Sequence, residues 1–188
     1  MRLNTSYLKA VLGGSLSLWA GFFSVSVHAV TLNFSAQIVQ GTCSLSLDKS
    51  VLPLGTVSQS LMHSEMLVNL HPFTLTADNC NGVAGGVQQP GIVVSGPGST
   101  QGGKWLFRTS DSDVGGAGVM VVQSTTPPNY TDTEVKPSDF FPLAGVGAVP
   151  VNTTLSFFAG VSCGGSAGCA TVTPGTLTAN IMFVFAYR

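Results

Sequence analysis

Few side chains in this sequence could do chemistry. Cys43, Cys80, Cys163 and Cys169 are its four thiols. Five residues separate Cys163 from Cys169, which fits neither a zinc knuckle nor a redox Cys-x-x-Cys pair. In a chain that opens with an export leader, four cysteines point to disulfides. By loop entropy a bridge from Cys43 to Cys80 would contribute about 4 kcal/mol, and one across the short Gly-rich loop from Cys163 to Cys169 about 2 kcal/mol.

The remaining candidates are weaker. His63 and His71 have no cysteine or carboxylate at ligand spacing, so they read as surface or strand-end histidines and no metal site is expected. Asp111 and Asp113 flank Ser112 just before Gly115-Gly116, a turn-like stretch in which Asp bonds locally to backbone. Carboxylate spacing alone does not make an acid and base pair. There is no Gly-x-Ser-x-Gly elbow and no phosphate-binding loop. No catalytic residue and no cofactor is therefore assigned, and an enzyme is not expected. Asn129-Tyr-Thr and Asn152-Thr-Thr fit the glycosylation pattern, which matters only in a eukaryotic secretory route.

The elements that would position anything else come from patterning. Arg2 and Lys9 followed by an apolar stretch and Val27-His28-Ala29 have the form of a signal peptide over residues 1–29, so the mature domain is expected to span 30–188 with no stable membrane span. Cleavage would remove two of the seven basic residues and none of the eight acidic ones, leaving five against eight and a net charge of −3. Such a chain has no basic field for nucleic acid. Only 8% of residues are charged, against about 25% in ordinary domains, a balance that suits a β-protein partly buried in an assembly.

Alternation with period two recurs along the chain. It places Val30, Leu32, Phe34, Ala36 and Ile38 on one face of a strand at the mature N-terminus. It continues from Cys43 past an interruption at Gly41-Thr42 that predicts a bend. Residues 52–57 contain Pro53 and predict an edge strand. Phe73, Leu75 and Ala77 face a core ahead of Cys80, and Leu155, Phe157, Ala159 and Val161 do the same later. Short strands are expected at 92–94, 105–107 and 118–122, with loops over most of 82–103 and a connection over 125–142. The last stretch, 175–188, carries Leu177, Ala179, Ile181, Phe183, Phe185 and Tyr187 on alternate positions and ends at Arg188. Many short strands without a long amphipathic helix predict an all-β sandwich. The final strand has nothing after it to pair with its far edge, and a bare apolar edge invites association.

Taken together, Phe34 ahead of Cys43, Leu54-Gly55-Thr56-Val57, Phe73-x-Leu75-x-Ala77-x-x-Cys80, Gly118-Val119, Phe157-x-Ala159 and the strand from Gly175 to the penultimate Tyr187 carry a family likeness. Over 30–188 the sequence resembles subunits of chaperone-usher pili, the type 1 fimbrial family of Gram-negative bacteria. That resemblance implies an incomplete immunoglobulin-like β-sandwich lacking its final strand, with an open groove beside residues 175–188. It also implies the partners: a periplasmic chaperone that lends a strand and binds the carboxylate of Arg188, an outer-membrane usher, and neighbouring pilus subunits. By position, residues 30–38 would be the donor strand that fills a neighbour's groove, and the chain would pass through the periplasm to a fimbrium on the cell surface.

Three features depart from the family pattern. Ala36 stands where the family has Gly in the donor strand, the Cys163 and Cys169 pair is additional, and Met182, Val184 and Ala186 make the outer face of the last strand unusually apolar. The alternative reading is a fimbrial adhesin or lectin-like binding module that uses the loops at 82–103 and 125–142.

Overall fold

Nine strands form among the described residues, which are 35–36 and 40–188 of the computed structural model, most of them from apolar and polar alternation. In chain order they are β1 (Gly41–Leu47), β2 (Val68–Gly82), β3 (Pro90–Ser95), β4 (Gly98–Gln101), β5 (Lys104–Phe107), β6 (Gly118–Gln123), β7 (Phe140–Pro142), β8 (Thr153–Ser162) and β9 (Met182–Tyr187). Among the described residues helical structure is limited to a 3-10 turn at Gln59–Leu61 and one turn, α1, at Ser166–Cys169. Ile38–Arg188 form one compact unit, and of the preceding unit only Ser35 and Ala36 are described, both exposed and outside any strand. The leader at 1–29 and the expected donor residues Val30, Leu32, Phe34 and Ile38 lie outside the described residues.

The strands form two antiparallel sheets. One has six strands in the order β1-β2-β8-β6-β5-β4, and the other has three in the order β7-β3-β9. This is an all-β, immunoglobulin-like sandwich. Its core lies between the sheets, where Phe73, Leu75 and Ala77 of β2, Val119 and Val121 of β6 and Phe157 and Ala159 of β8 meet Ile92 and Val94 of β3. Fully buried Phe157 is the centre of an aromatic cluster, stacked on Phe73 at 5.3 Å and edge-on to Phe141 at 5.4 Å. Odd and even residues of β6 separate as the period requires: Met120 and Val122 turn to the other face of the large sheet and pack with Leu106 and Tyr130.

Two strands were not legible as such. β4 and β7 lie inside the expected loop and connection, and at four and three residues they are too short to show a period. They exist because a neighbour pairs with them, β5 with β4 and β3 with β7.

The expected interruption near Gly41 is a register shift between Thr42 and Ser44 of β1. Beside it the Cys43–Cys80 disulfide joins β1 to β2. Gly41 is required by close approach. A methyl there would overlap the Asn81 carbonyl oxygen and the Gly82 Cα of β2 and meet the Tyr187 hydroxyl of β9. Two of those neighbours are backbone and cannot rotate away. Gly41→Ala is expected to lower stability by about 1–3 kcal/mol, read as a lower urea midpoint; an unchanged midpoint would show that the β1 to β9 junction has slack.

Candidate functional site: a cleft beside the last strand

β9 pairs along Met182–Tyr187 with β3 only; among the described residues no strand pairs with its other edge. The consequence shows in burial across a single sheet. Ile92 and Val94 of β3 are fully buried, yet their β9 partners Phe185 and Phe183, pointing to the same core, are only half-buried. Leu177, Ala179 and Ile181 are also half-buried against the core cluster. Among the described residues the core is therefore open along this side, as a cleft of about 880 Å³. Residues 47–57 form one wall, residues 172–183 the other, and Phe73, Val119, Ala159 and Val161 are among the apolar side chains lining it.

Alternation predicts a strand from 175, but the ladder begins only at Met182. The reason is the partner. β3 ends at Ser95, opposite Met182, and is followed by Gly96 and by Pro97, which has no N–H to donate. Upstream of Met182 the chain is held by the 109–115 loop instead. Thr178 donates its N–H to Ser112 Oγ at 2.9 Å, and its carbonyl accepts from Ser112 Oγ, Thr109 Oγ1 and the Thr109 N–H, each at 2.9 Å. Asp113 Oδ1 accepts from the Thr176 N–H at 2.9 Å, the Asp113 N–H donates to the Thr176 carbonyl at 3.1 Å, and Gly115 N–H donates to Thr173 Oγ1 at 2.8 Å. Side chains thus take the place of a ladder and hold 176–178 beside the opening.

In the sequence Ser112 stands out less than the two aspartates that flank it. Its available signal was position: a small hydroxyl between two turn-forming aspartates, a residue type that bonds local or nearby backbone. Asp113 bonds the cleft wall, and Asp111 is exposed.

The opposite wall differs from expectation as well. Residues 52–57 make no ladder; Pro53 and Gly55, whose φ is +73°, prevent regular pairing. Asn69 takes over the role of a partner. It sits with φ of 50° at the register shift of β2 and donates its side-chain amide to the carbonyls of Leu54 at 2.9 Å and Thr56 at 3.3 Å.

Cys163–Cys169, the second disulfide, closes a loop over α1 directly before the 172–183 wall. Gly102 and Gly165 approach so closely that a methyl on Gly102 would overlap the Gly165 backbone nitrogen, and a methyl on Gly168 would overlap the Cys163 carbonyl oxygen. Gln59 Nε2 donates to the Val172 carbonyl at 2.7 Å, linking the two walls at this end of the cleft. At the other end, Arg188 N–H donates to the Gln89 carbonyl at 3.0 Å and its guanidinium to the Ser138 carbonyl at 3.0 Å, over the ring of Phe140. The buried Tyr187 hydroxyl has no hydrogen-bond partner among the described residues, and burial pushes its pKa above the ordinary phenol value. Met182 and Val184 are exposed on the outer face, while Ala186 is half-buried.

Other residues singled out in the sequence do not converge. His63 is exposed in the segment before β2, and His71 is half-buried within β2. Among the described residues no group of three or more His, Cys, Asp or Glu could hold a metal, and no helix is long and apolar enough to cross a membrane. The stretch 82–103 contains β3 and β4, and Tyr130 of 125–142 packs against the large sheet, so neither is one free loop.

No protein-family model matches the chain, and no curated protein matches it in sequence. Among solved structures it is similar to the P pilus rod subunit PapA, with 20% identity over 84% of this chain and 100% of that one at a TM-score of 0.45. It is also similar to a chain of a chaperone-usher pilus, with 19% identity over 88% of this chain and 99% of that one at a TM-score of 0.49.

Two expectations follow from how the cleft wall is held. Ser112→Ala strips both Ser112 bonds from Thr178 and is expected to cost about 1–3 kcal/mol, with faster hydrogen exchange at the Thr176 and Thr178 amides. The paired change Cys163→Ser and Cys169→Ser should cost about 2 kcal/mol and speed exchange over 170–178, while leaving the β2 and β8 amides protected.

Proposed function

We propose that this protein is a structural subunit of a chaperone-usher fimbria that polymerises by donor-strand exchange. Its work is non-enzymatic: it offers an unfilled groove and carries a strand able to fill the groove of another copy. The observation that carries this reading is the half-buried alternate row Leu177, Ala179, Ile181, Phe183 and Phe185 beside an open, apolar-floored cleft. An extended segment with side chains on alternate positions is the shape that would complete it by β-augmentation. Residues 30–38 of the same chain have that pattern, with Val30, Leu32, Phe34, Ala36 and Ile38 on one face.

In this reading the mature chain begins at Val30 after export. A periplasmic chaperone occupies the cleft first and engages the carboxylate of Arg188, the usher brings subunits together, and the fibre on the cell surface supports adhesion. Burial of four or five donor side chains contributes roughly 5–12 kcal/mol gross, opposed by ordering of the donor backbone. Ala36 in place of Gly adds a methyl to that donor face.

A synthetic peptide of residues 30–38 tests the reading. Added to a chain from which 30–38 has been deleted, it is expected to raise the unfolding temperature in a concentration-dependent way and to be retained through gel filtration; a peptide with Leu32→Asp and Phe34→Asp should do neither. A deleted chain that is equally stable with and without the peptide would refute the reading.

A further inference from the structure

Exposed valines gather at one end of the sandwich. Val83, Val87, Val146 and Val151 are 68%, 88%, 65% and 56% exposed, unusual values for β-branched apolar side chains. They lie on two loops, 82–91 and 143–152, that together contain no charged residue. The loops are bound to each other: Gly85 N–H donates to the Gly147 carbonyl at 2.7 Å, and Gly147 N–H donates to the Gln88 carbonyl at 2.8 Å. This is a surface built on paired backbone, and an uncharged apolar patch of this kind marks an interaction site.

Its position says what covers it. Gln40 precedes β1 and joins the body of the domain to residues 30–38. Its side-chain amide donates to the Gly85 carbonyl at 2.6 Å and its own carbonyl accepts from the Val83 N–H at 2.9 Å. The patch thus surrounds the root of the N-terminal segment. Only Val39 stands between Ile38 and Gln40, and at about 3.3 Å per residue a seated Ile38 would hold Gln40 within about 7 Å. There is no slack for a linker.

We infer that the valine patch is a docking surface for a second copy of this chain, closing on the mouth of the cleft that receives residues 30–38. The inference rests on the donor-strand reading and adds to it a contact between the bodies of successive subunits. The contact is heterologous, patch to cleft mouth, so it propagates along a fibre rather than closing a dimer.

The test uses the exported full chain carrying Val87→Lys and Val146→Lys, with Ser44→Lys and Ser46→Lys on the exposed outer face of β1 as the charge-matched control. Fibre growth is followed by light scattering and electron microscopy, and capture of a labelled 30–38 peptide is measured on the same samples. Growth of the valine variant is expected to fall at least about tenfold, the effect of some 1.4 kcal/mol, with peptide capture and control growth as in wild type. Mixed into wild type at one part in ten, the variant should shorten fibres, because it accepts a donor but donates poorly. The milder Val87→Ser with Val146→Ser should fall between. Wild-type growth by the lysine variant, or lost peptide capture in it, would overturn the inference. Failure of wild type both to capture the peptide and to grow would instead overturn the donor-strand reading.

Discussion

A sandwich core must be closed on every side, and among the described residues one side is left open. β9 has a partner on one edge only among the described residues, and the apolar row facing the core from 177 to 185 is half-buried where its neighbours on β3 are fully buried. The rest of the structure follows from this. Six strands on one sheet and three on the other give a core wide enough to need cover that the smaller sheet does not supply. The large sheet keeps its floor in place through the Phe73, Phe157 and Phe183 cluster, in which Phe157 lies 5.6 Å from Phe183. Those aromatic contacts bind the exposed strand to the sheet opposite while its free edge stays available.

An apolar cleft tends to collapse, because closing it removes apolar surface from water. Both walls resist collapse by the same device. Residues 172–181 are hooked to the 109–115 loop through Ser112, Thr109 and Asp113, and residues 52–57 are hooked to β2 through Asn69. Side-chain hooks hold a segment extended from behind without a ladder in front. The Cys163–Cys169 loop and the Gln59 bond to Val172 fix the spacing at one end, and the pairing of Arg188 with Gln89 anchors the last strand at the other. Such a cleft is a defined feature of the fold rather than a slack region of the core.

How much of this was legible depended on whether a property belongs to one strand or to two. Phe73, Leu75, Ala77, Phe157 and Ala159 declared their burial through period two alone, since a strand covered on one face repeats itself over several residues. The all-β class was legible for the same reason. By contrast, where the β9 ladder starts is decided by where β3 ends, at Ser95 before Gly96-Pro97, and no pattern within 175–188 records that. β7 exists because β3 is beside it, and Phe140-Phe141-Pro142 shows no alternation. Residues 52–57 have strand-like composition but no ladder, because Pro53 and Gly55 break the backbone regularity on which pairing depends. Ser112 was the least legible of all, since a serine between two aspartates has many ordinary uses, and only the fold brings Thr178 to it.

If the cleft is filled by a donor strand as proposed, permanence of the assembly is a matter of rates. Ordering a donor segment costs about 1–2 kcal/mol per residue, comparable with what its apolar side chains gain on burial, so equilibrium margin alone gives little durability. Once the open side of the core is filled, however, release requires the donor to leave a close-packed interior between two sheets, and that barrier is the unfolding barrier of the completed sandwich. A rigid cleft raises it, because walls held by Ser112, Asn69 and the second disulfide cannot give way gradually. The scarcity of charge fits the same picture: with only 8% charged residues, the surface has few ion pairs to lose when subunits are brought together and little repulsion to keep them apart. On the proposed reading, such a surface suits burial in a fibre more than long residence as a free monomer.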